Sequence, residues 1–322
     1  MKLIIQIPCY NEEETLPITL ASLPRSVPGF ETVEWLIIDD GSSDNTVSVA
    51  LDAGVDHVVQ HSINRGLAVA FMTGINACLS LDADVIVNTD ADNQYNADDI
   101  PLLTTALLEK NADVVIGARP IAEIPHFSWL KKRLQWLGSW SVRFASGTSV
   151  EDAPSGFRAY SKVAAQQIVV FSPYTYTLET IIQAGRNNFS TLSIPIRVNE
   201  DLRPSRLVKS IRSYVSRSLV TIVRTFVVYE PFRFFLFIGL ALFLAGVFLG
   251  LRFLWFWLAG DGAGHIQSVI LSSALLVIGF QTCLVAFIAD LVATNRKLLE
   301  DIRIRIQNEG KKPPNLVSRS SE

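Results

Sequence analysis

The chain has few cysteines and no excess of positive charge, and each shortage excludes a class of protein. Its three cysteines, Cys9, Cys78 and Cys283, lie far apart in apolar surroundings and form no CxxC pair. We therefore expect free thiols in a reducing compartment, not a disulfide framework or a zinc site. The formal net charge is −3, whereas nucleic-acid binding usually needs a strongly basic face. No nucleic acid is expected among the partners.

Charge is also missing from two long segments near the end of the chain. They are residues 234–251, "FFLFIGLALFLAGVFLGL", and residues 266–289, "IQSVILSSALLVIGFQTCLVAFIA". Each approaches the roughly 20 residues that a helix needs to cross a bilayer. The glycine-rich connector "AGDGAGH" predicts an antiparallel hairpin of two transmembrane helices, at 232–257 and 266–292. The alternative is a pair of buried core helices in a soluble domain.

Lysine and arginine flank this hairpin but are absent from its connector. They precede it between Arg203 and Arg233 and follow it between Arg296 and Lys312. Because such residues are enriched on the cytoplasmic side of membrane helices, both flanks are predicted to be cytoplasmic. Arg252 and the aromatic residues 255–257 are expected at the opposite interface. We therefore expect a multi-pass protein of the cell (inner) membrane, with its catalytic domain in the cytoplasm.

Residues 1–120 alternate apolar runs with helical patterns. No secretory leader is expected, because "MKLIIQIPCYNEEE" turns acidic after a short apolar run. The segments "KLIIQIP", "EWLIIDD", "DHVVQH", "DVIVNTD" and "DVVIGAR" are predicted strands with helices between them. This predicts an α/β fold with a mostly parallel sheet, which binds ligands beyond the carboxyl ends of its strands. Polar residues cluster at those ends: Asn11, Glu13, Asp39, Asp40, Asp90, Asp92 and Arg119.

The pattern weakens between residues 123 and 199. A basic amphipathic stretch, "WLKKRLQWLGSWSVRFASG", and a helix, "TYTLETIIQAGRN", are predicted there. Arginines then recur at helical spacing, which predicts helices lying in the membrane interface. The tail after Asn308 is polar and is predicted to be disordered. The predicted parts are a catalytic domain at 1–202, interfacial helices at 203–231, the two spans within 232–294 and a cytoplasmic tail at 295–322.

The segment "NTDADNQY" places Asp90 and Asp92 two residues apart after a buried apolar run. Carboxylates suit hard divalent cations such as Mg²⁺ or Mn²⁺, which take oxygen ligands and keep several waters. Residues two apart on a strand face the same way, so the pair meets solvent only if the strand has ended. Asn88 and Asn93 favour a turn there. A solvated loop without a metal is the alternative.

The segment "DDGSSDNT", residues 39–46, adds acids at the end of another predicted strand. Asp39 and Asp40 can accept hydrogen bonds from ribose hydroxyls or from a base. Ser42, Ser43 and Asp44 are also typical caps of the following helix, and the two interpretations are compatible. A nucleotide diphosphate would account for a metal, because the ion bridges phosphate oxygens and stabilises charge on the leaving group.

Taken together, these segments resemble a family of enzymes. "IPCYNEEETL", "IIDDGSSDNT", "NRGLAVAFMTGI", "TDADNQY", "VIGAR" and "DAPSGFRAY" follow one another in this order within residues 1–230. They resemble an inverting glycosyltransferase of family 2 with the GT-A nucleotide-sugar-binding fold. Their order and the two-helix tail are most similar to the polyprenyl- and dolichol-phosphate sugar synthases. That group includes relatives of dolichol-phosphate mannose synthase and bacterial undecaprenyl-phosphate glucosyltransferases.

The resemblance implies three sets of site residues and three catalytic ones. The nucleotide sugar is expected to contact Pro8, Tyr10, Asn11, Glu13, Asp39, Asp40 and Asp90. The metal is expected at Asp90, Asp92 and Gln94, with Asp92 and Gln94 as its direct ligands. The acceptor phosphate or the diphosphate is expected at Arg119, Arg133, Ser155, Arg158, Arg203, Arg206 and Lys209. The catalytic residues are Asp92, Asp152 and Arg119, with Asp152 near the reacting sugar.

The chain departs in two places from the pattern of the family that it resembles. Arg133 is followed by Leu137, with Ser139 beyond it, where the archaeal-type mannose synthases have a serine about one turn after the arginine. The phosphate contact implied for Arg133 therefore lacks the serine that accompanies it in those enzymes. The QxxRW motif of processive synthases is missing, since "QAGRN" at residues 183–187 lacks the tryptophan. A polymer synthase is therefore not expected.

The implied activity is metal-dependent transfer of one sugar, with inversion, from a UDP- or GDP-linked donor to undecaprenyl or dolichyl phosphate. Mg²⁺ or Mn²⁺ is the expected cofactor, and a homo-oligomer such as a tetramer is expected in the membrane. Two alternatives stay open: transfer to another lipid such as diacylglycerol, and a non-catalytic membrane scaffold that keeps the fold. The sugar and the nucleotide are not fixed, because their selection depends on the shape of the pocket.

Overall fold

The computed structural model describes residues 1–120, 129–170, 176–200, 216, 219–220, 223–224, 226–260, 266–309 and 316–318. Its strands are β1 Lys2–Cys9, β2 Thr32–Asp39, β3 His57–Gln60, β4 Val85–Asn88, β5 Val114–Ala118, β6 Arg158–Ser161, β7 Thr191–Pro195 and β8 Leu316–Ser318. Its helices are α1 Leu16–Ser22, α2 Thr46–Asp52, α3 Leu67–Ser80, α4 Ile100–Glu109, α5 Trp129–Ser146, α6 Lys162–Gln167, α7 Thr177–Arg186, α8 Pro231–Leu258 and α9 Ile266–Glu309. A 3-10 turn at Ala97–Asp99 precedes α4.

The eight strands form one sheet in the order β7-β5-β6-β4-β1-β2-β3-β8. Strand β1 runs parallel to β2 and β4, β2 runs parallel to β3, and β5 runs parallel to β7. The central strands β1 and β4 are buried along almost their whole length, because their apolar side chains pack on both faces of the sheet. Their carboxyl ends therefore carry Tyr10 and the segment from Thr89 to one edge.

Strand β6 was not expected from its sequence, and it changes the sheet near the site. It lies between β4 and β5 and runs antiparallel to both. Asn88, the last residue of β4, is in register with Arg158, the first residue of β6. This pairing brings the residues just before Arg158 to the carboxyl end of β4. The acidic turn and the "DAPSGFR" segment therefore meet at one place.

The prediction of a disordered tail after Asn308 is wrong for part of that tail. Helix α9 extends to Glu309, and Leu316–Ser318 pairs antiparallel with β3. The physical reason is the unpaired edge of β3, which leaves backbone donors and acceptors available to another strand. In this register Val58 lies opposite Val317.

The chain divides into one unit of residues 1–219 with 304–322 and a second unit of residues 220–303. Helices α8 and α9 make up most of the second unit. Pro231–Leu258 and Ile266–Arg296 are long and apolar enough to cross a membrane, with mean hydropathies of 2.7 and 2.2. Glycine lets the two helices approach closely, since a Cβ on Gly279 would lie 2.6 Å from the Phe243 nitrogen. The predicted boundaries at 202, 231 and 294 stay predictions.

Helix α3 packs so closely on the sheet that Gly74 has no room for a side chain. A Cβ there would lie 2.4 Å from the Gln6 Oε1 atom and 2.7 Å from the Ile38 Cδ1 atom. We predict that Gly74→Ala lowers the free energy of unfolding by about 1–3 kcal/mol, because overpacking forces neighbours out of place. Thermal unfolding of the purified chain in detergent measures the change.

The matched control is Gly138→Ala in α5, where nothing lies within 4 Å of the added Cβ. That substitution should be neutral or should stabilise the chain by about 1 kcal/mol, since alanine favours helix more than glycine does. Equal melting temperatures for the two variants would contradict the close packing of α3.

Candidate active site

Asn11 and Glu13 join the loop after β1 to the loop after β2. Asn11 adopts a left-handed conformation with φ 54, and its Oδ1 atom accepts a hydrogen bond from the Ser43 nitrogen at 2.8 Å. The Glu13 carboxylate accepts hydrogen bonds from the nitrogen of Asn45 at 2.9 Å and from its side-chain amide at 3.1 Å. These two predicted nucleotide-binding residues therefore hold the loops in place. Tyr10 lies beside them, half-exposed at 44%.

Asp40 is buried and holds a second loop. Its carboxylate accepts hydrogen bonds from the backbone nitrogens of Arg65 and Gly66 at 2.9 and 2.8 Å, and it bonds to the His61 Nδ1 atom at 2.7 Å. The other ring nitrogen of His61 lies 3.0 Å from the Thr73 hydroxyl. Asp40 therefore positions residues 61–66 in this structure. Its contact with a nucleotide stays a prediction.

His61 was missed by the sequence reasoning, although it follows directly on β3 as polar residues do at the other strand ends. A cavity of about 410 Å³ opens beside it. The cavity is lined by Gly41, Ser42, Gln60, His61 and Ser62. The buried carboxylate of Asp39 accepts a hydrogen bond from the Ser42 nitrogen at 3.2 Å and so shapes the same loop. The cavity is a concave surface at the carboxyl ends of β2 and β3.

The acidic turn begins where the sequence places it. Strand β4 ends at Asn88, so Asp90 and Asp92 lie beyond the regular strand, and Asn93 turns the chain with φ 56. Asp90, Asp92 and Gln94 are all partly buried. The Gln94 nitrogen donates to the Asp92 carboxylate at 3.2 Å. The turn thus brings two carboxylates and one amide together.

A buried polar network lies beneath this turn. The Asn88 side-chain amide donates to the Gly156 carbonyl at 2.8 Å and to the Tyr176 hydroxyl at 3.0 Å. Its oxygen accepts a hydrogen bond from the Gln6 amide at 2.9 Å. The Gly156 nitrogen in turn donates to the Tyr95 hydroxyl at 2.9 Å. The sequence predicted only a turn at Asn88, because it does not distinguish a buried asparagine from an exposed one.

Asp90 lies directly above Gly156. A Cβ on Gly156 would be 3.0 Å from both carboxylate oxygens of Asp90 and 2.8 Å from the Tyr176 hydroxyl. Burial and the neighbouring Asp92 carboxylate raise the pKa of Asp90 to about 7, against partial relief from Arg119 and Arg158. The ionised carboxylate is therefore costly in the absence of an added positive charge.

Arg119 and Asp152 form a buried ion pair. The Arg119 Nε atom donates to Asp152 at 2.7 Å, the Nη2 atom donates at 3.0 Å, and the backbone nitrogen donates at 3.2 Å. The Arg119 Nη1 atom points to the Gln94 Oε1 atom at 3.5 Å. The structure therefore brings the predicted phosphate arginine, the predicted catalytic acid and a predicted metal ligand into one cluster.

The expected phosphate contact of Arg158 is not supported by its geometry. The side chain is fully buried, and its guanidinium donates to the carbonyls of Ser155 and Ala153, each at 2.7 Å. It also donates to the carbonyl of Thr177 at 2.8 Å and to the Thr180 hydroxyl at 2.7 Å. With these donors satisfied, Arg158 fixes the segment before β6. Ser155 is likewise buried, within 3.4 Å of the Phe157 nitrogen.

Of the remaining predicted phosphate residues, the structure describes one and leaves three outside the described ranges. Arg133 is an exposed residue of α5, and its guanidinium lies 5.5 Å from the Trp129 ring centre. Arg203, Arg206 and Lys209 lie outside the described residues. Their expected roles stay predictions.

The acidic turn fits a hard divalent cation. Asp90, Asp92 and Gln94 offer only oxygen ligands, as Mg²⁺ and Mn²⁺ prefer. Among the described residues, the Asp90 carboxylate accepts no hydrogen bond that would otherwise stabilise its charge. The same part of the chain contains no cluster of three or more His, Cys, Asp or Glu side chains that could hold a metal. An ion here would take further ligands from water or from phosphate.

The fold is shared with a synthase of known structure. Glucosyl-3-phosphoglycerate synthase of Mycobacterium tuberculosis, crystallised with Mn²⁺, UDP and glucosyl-3-phosphoglycerate, aligns with a TM-score of 0.51 at 19% identity. The alignment covers 70% of this chain and 78% of that one. This similarity shows the fold, and it confirms the predicted α/β class of the GT-A type.

The family follows from the sequence match. The profile described as "Glycosyl transferase family 2" matches residues 4–169. The chain belongs to glycosyl transferase family 2. It is 29% identical to undecaprenyl-phosphate mannosyltransferase of Micrococcus luteus over 70% of this chain and 93% of that protein. It is 28% identical to polyprenol monophosphomannose synthase of Mycolicibacterium smegmatis over 61% of this chain and 77% of that protein.

These relatives confirm two predictions. The chain is a glycosyltransferase, and it is similar to the polyprenyl-phosphate sugar synthases. The scaffold alternative, a membrane protein that keeps the fold without the activity, is accordingly set aside.

We predict that Gly156→Ala weakens binding of Mn²⁺ by about tenfold or more, because the added methyl group displaces the Asp90 carboxylate or the Tyr176 hydroxyl beneath it. Titration of the purified chain with Mn²⁺ in the presence of UDP, followed by electron paramagnetic resonance, measures the affinity. Gly138→Ala is the matched control. Unchanged Mn²⁺ affinity in a folded Gly156→Ala variant would show that Gly156 does not affect the metal site.

We predict that Asp90→Asn stabilises the metal-free chain increasingly as the pH rises. The ordinary pKa of 3.8 rises to about 7 in the folded chain. Between these two values the unfolded chain has lost the proton while the folded chain still holds it, so ionisation lowers the free energy of unfolding as the pH rises. Above about pH 7 the whole loss is present. The asparagine variant does not suffer this loss.

Thermal unfolding in EDTA at about pH 4 and pH 8 provides the comparison. Asp90→Asn should melt a few degrees above the parent chain at the higher pH, with a much smaller difference at the lower one. Asp52→Asn, an exposed change in α2, is the control for loss of a charge. A constant difference at both pH values would refute the raised pKa.

Proposed function

We propose that this chain transfers one sugar from a nucleotide-diphosphate sugar to a polyprenyl phosphate at the cytoplasmic face of the cell membrane. The observation that carries the proposal is the cluster of Asp90, Asp92, Gln94, Arg119 and Asp152 at one end of the sheet. It combines oxygen ligands for a metal with a cation for a phosphate, within a chain that also has two candidate membrane spans. The relatives named for undecaprenyl phosphate and polyprenol support the choice of acceptor.

The donor would bind across the carboxyl ends of β1, β2 and β4. The cavity beside His61 offers room for part of the nucleotide, next to Asp39 and the loop that Asp40 positions. Asp90, Asp92 and Gln94 would hold Mg²⁺ or Mn²⁺, which supplies positive charge to the diphosphate as it leaves. The related synthase crystallised with Mn²⁺ and UDP supports a divalent ion in this fold.

The acceptor supplies its own nucleophile. A lipid phosphate is largely ionised near neutral pH, so one of its oxygens attacks the anomeric carbon without a strong base. The new bond joins that carbon to the phosphate, while its bond to the diphosphate breaks and the nucleoside diphosphate leaves with inversion. Arg119 presents its Nη1 edge towards Gln94. It would hold the incoming phosphate near the donor, so positioning and charge stabilisation provide most of the rate.

Helix α5 supports action at a lipid surface. Trp129, Trp136, Trp140 and Phe144 lie near one face of the helix at helical spacing and are 71%, 56%, 41% and 48% exposed. Arg133 lies on the same side, over the Trp129 ring. Tryptophan with arginine is typical of helices that lie in the membrane interface. We propose that this face rests on the membrane from which the acceptor phosphate protrudes.

A panel of donors and acceptors tests the proposal. UDP- and GDP-linked sugars are each incubated with the full-length chain, Mn²⁺ or Mg²⁺, and either undecaprenyl phosphate or diacylglycerol. We expect a glycosyl polyprenyl phosphate with one sugar and no product from diacylglycerol. Product only from diacylglycerol would refute polyprenyl phosphate as the acceptor. It would leave the proposed nucleotide-sugar donor unchanged.

We predict that Asp92→Asn lowers this turnover by about a hundredfold or more, because it removes a charged ligand from the metal at the diphosphate. The chain should remain folded, since the change lies in a partly buried turn. Asp98→Asn, an exposed change outside the turn, is the control. Near-normal turnover of Asp92→Asn over a range of Mn²⁺ concentrations would refute the metal role of this turn.

A further inference from the structure

Gln281 lies at the middle of the second candidate membrane span. That span is Ile266–Arg296, and Gln281 is fifteen residues from each end of it. At a rise of about 1.5 Å per residue, each end is about 22 Å away. The hydrocarbon core of a bilayer is about 30 Å thick, so Gln281 falls near its centre. A side-chain amide at that depth has no water to bond with.

Gln281 points away from the other helix of the hairpin. Gly279 and Cys283, each two residues from it, pack on α8: a Cβ on Gly279 would meet the Phe243 nitrogen at 2.6 Å, and a Cβ on Gly239 would meet the Cys283 Sγ atom at 2.7 Å. Residues two apart on a helix point about 160° apart. Gln281 therefore projects from the opposite face, where it is exposed.

The hydroxyl groups in the same span are satisfied within the hairpin, whereas the Gln281 amide is not. Ser272 donates to the Gly246 carbonyl at 2.7 Å. Ser273 and Thr282 donate to carbonyls of their own helix at 2.9 and 2.8 Å. Among the described residues, the Gln281 carboxamide has no hydrogen-bond partner. An amide without a partner in hydrocarbon is strongly unfavourable.

The residues around Gln281 form an apolar seam. Val277, Leu284 and Ile288 lie four residues before it, three after it and seven after it, and all three are exposed. Alternating spacings of three and four are those of helices that pack knobs into holes, and one polar residue in such a seam fixes the register and the number of helices. The seam offers no other charged or amide side chain near this depth, which argues against an ion or water pathway.

We propose that Gln281 pairs with Gln281 of a second copy of this chain inside the membrane. A carboxamide carries both a donor and an acceptor, so two copies related by a two-fold axis can exchange two hydrogen bonds. Lipid tails offer no such groups, whereas polar side chains join helices in membranes. The inference depends on α9 crossing the membrane and does not depend on the reaction.

Self-association of the full-length chain in lipid vesicles tests the proposal. Energy transfer between donor- and acceptor-labelled copies is measured against the protein-to-lipid ratio. We expect Gln281→Leu to weaken association about five- to tenfold. Thr282→Val, a matched change one residue away, should have no effect because the Thr282 hydroxyl is satisfied in its own helix. Equal association of Gln281→Leu and the parent chain, or a monomeric parent chain, would overturn the proposal.

Disulfide trapping provides a second test that does not depend on affinity. Gln281→Cys and Phe280→Cys are each made in a Cys283→Ala chain, and membranes are oxidised with copper phenanthroline. Cys9 and Cys78 are buried and should not react. The two positions share a depth but point about 100° apart. We expect covalent dimers from Gln281→Cys and few from Phe280→Cys, and the reverse result would refute the two-fold contact.

Discussion

The side chain of Asn88 makes the contacts on which the rest of the site depends. It ends β4 and lies fully buried, and it bonds to Gln6 of β1, to the Gly156 carbonyl and to the Tyr176 hydroxyl. Leaving any of these groups without a partner in the core would cost about 1–3 kcal/mol. The network therefore fixes the antiparallel strand β6 and the start of α7 beneath the acidic turn. The position of Asp90 follows from this network.

Because this network is rigid, the ionised carboxylate of Asp90 is unfavourable without an added positive charge. Asp90 cannot retreat into the protein, because Gly156 and the Tyr176 hydroxyl already occupy the space below it. Burial and the charge of Asp92 then disfavour its ionised form. A cation at the turn would relieve both effects, so the residues proposed to bind it are the ones that lower the stability of the fold without it. Such opposition between stability and function is common at active sites.

The sequence predicted the parallel half of the sheet and the acidic turn, because continuous apolar runs and polar strand ends are local signals. It did not predict β6, since "RAYS" is short and its pairing with β4 depends on residues 70 to 76 positions earlier. The family resemblance implied a phosphate contact for Arg158, whereas in the structure this arginine is buried among carbonyls. A charge usually indicates the surface, and only the fold reveals the carbonyls that replace water around Arg158.

The ion pair of Arg119 and Asp152 limits what either residue can do. Both oxygens of Asp152 accept hydrogen bonds from Arg119, so in this arrangement the carboxylate is poorly placed to remove a proton from an acceptor. An acceptor that is already ionised needs no such base, whereas a neutral hydroxyl would. The pair also turns the remaining Nη1 edge of Arg119 towards Gln94 and the acidic turn. Asp152 is thus best suited to orient the side chain of Arg119. This arrangement favours a phosphate over a neutral lipid alcohol as the acceptor.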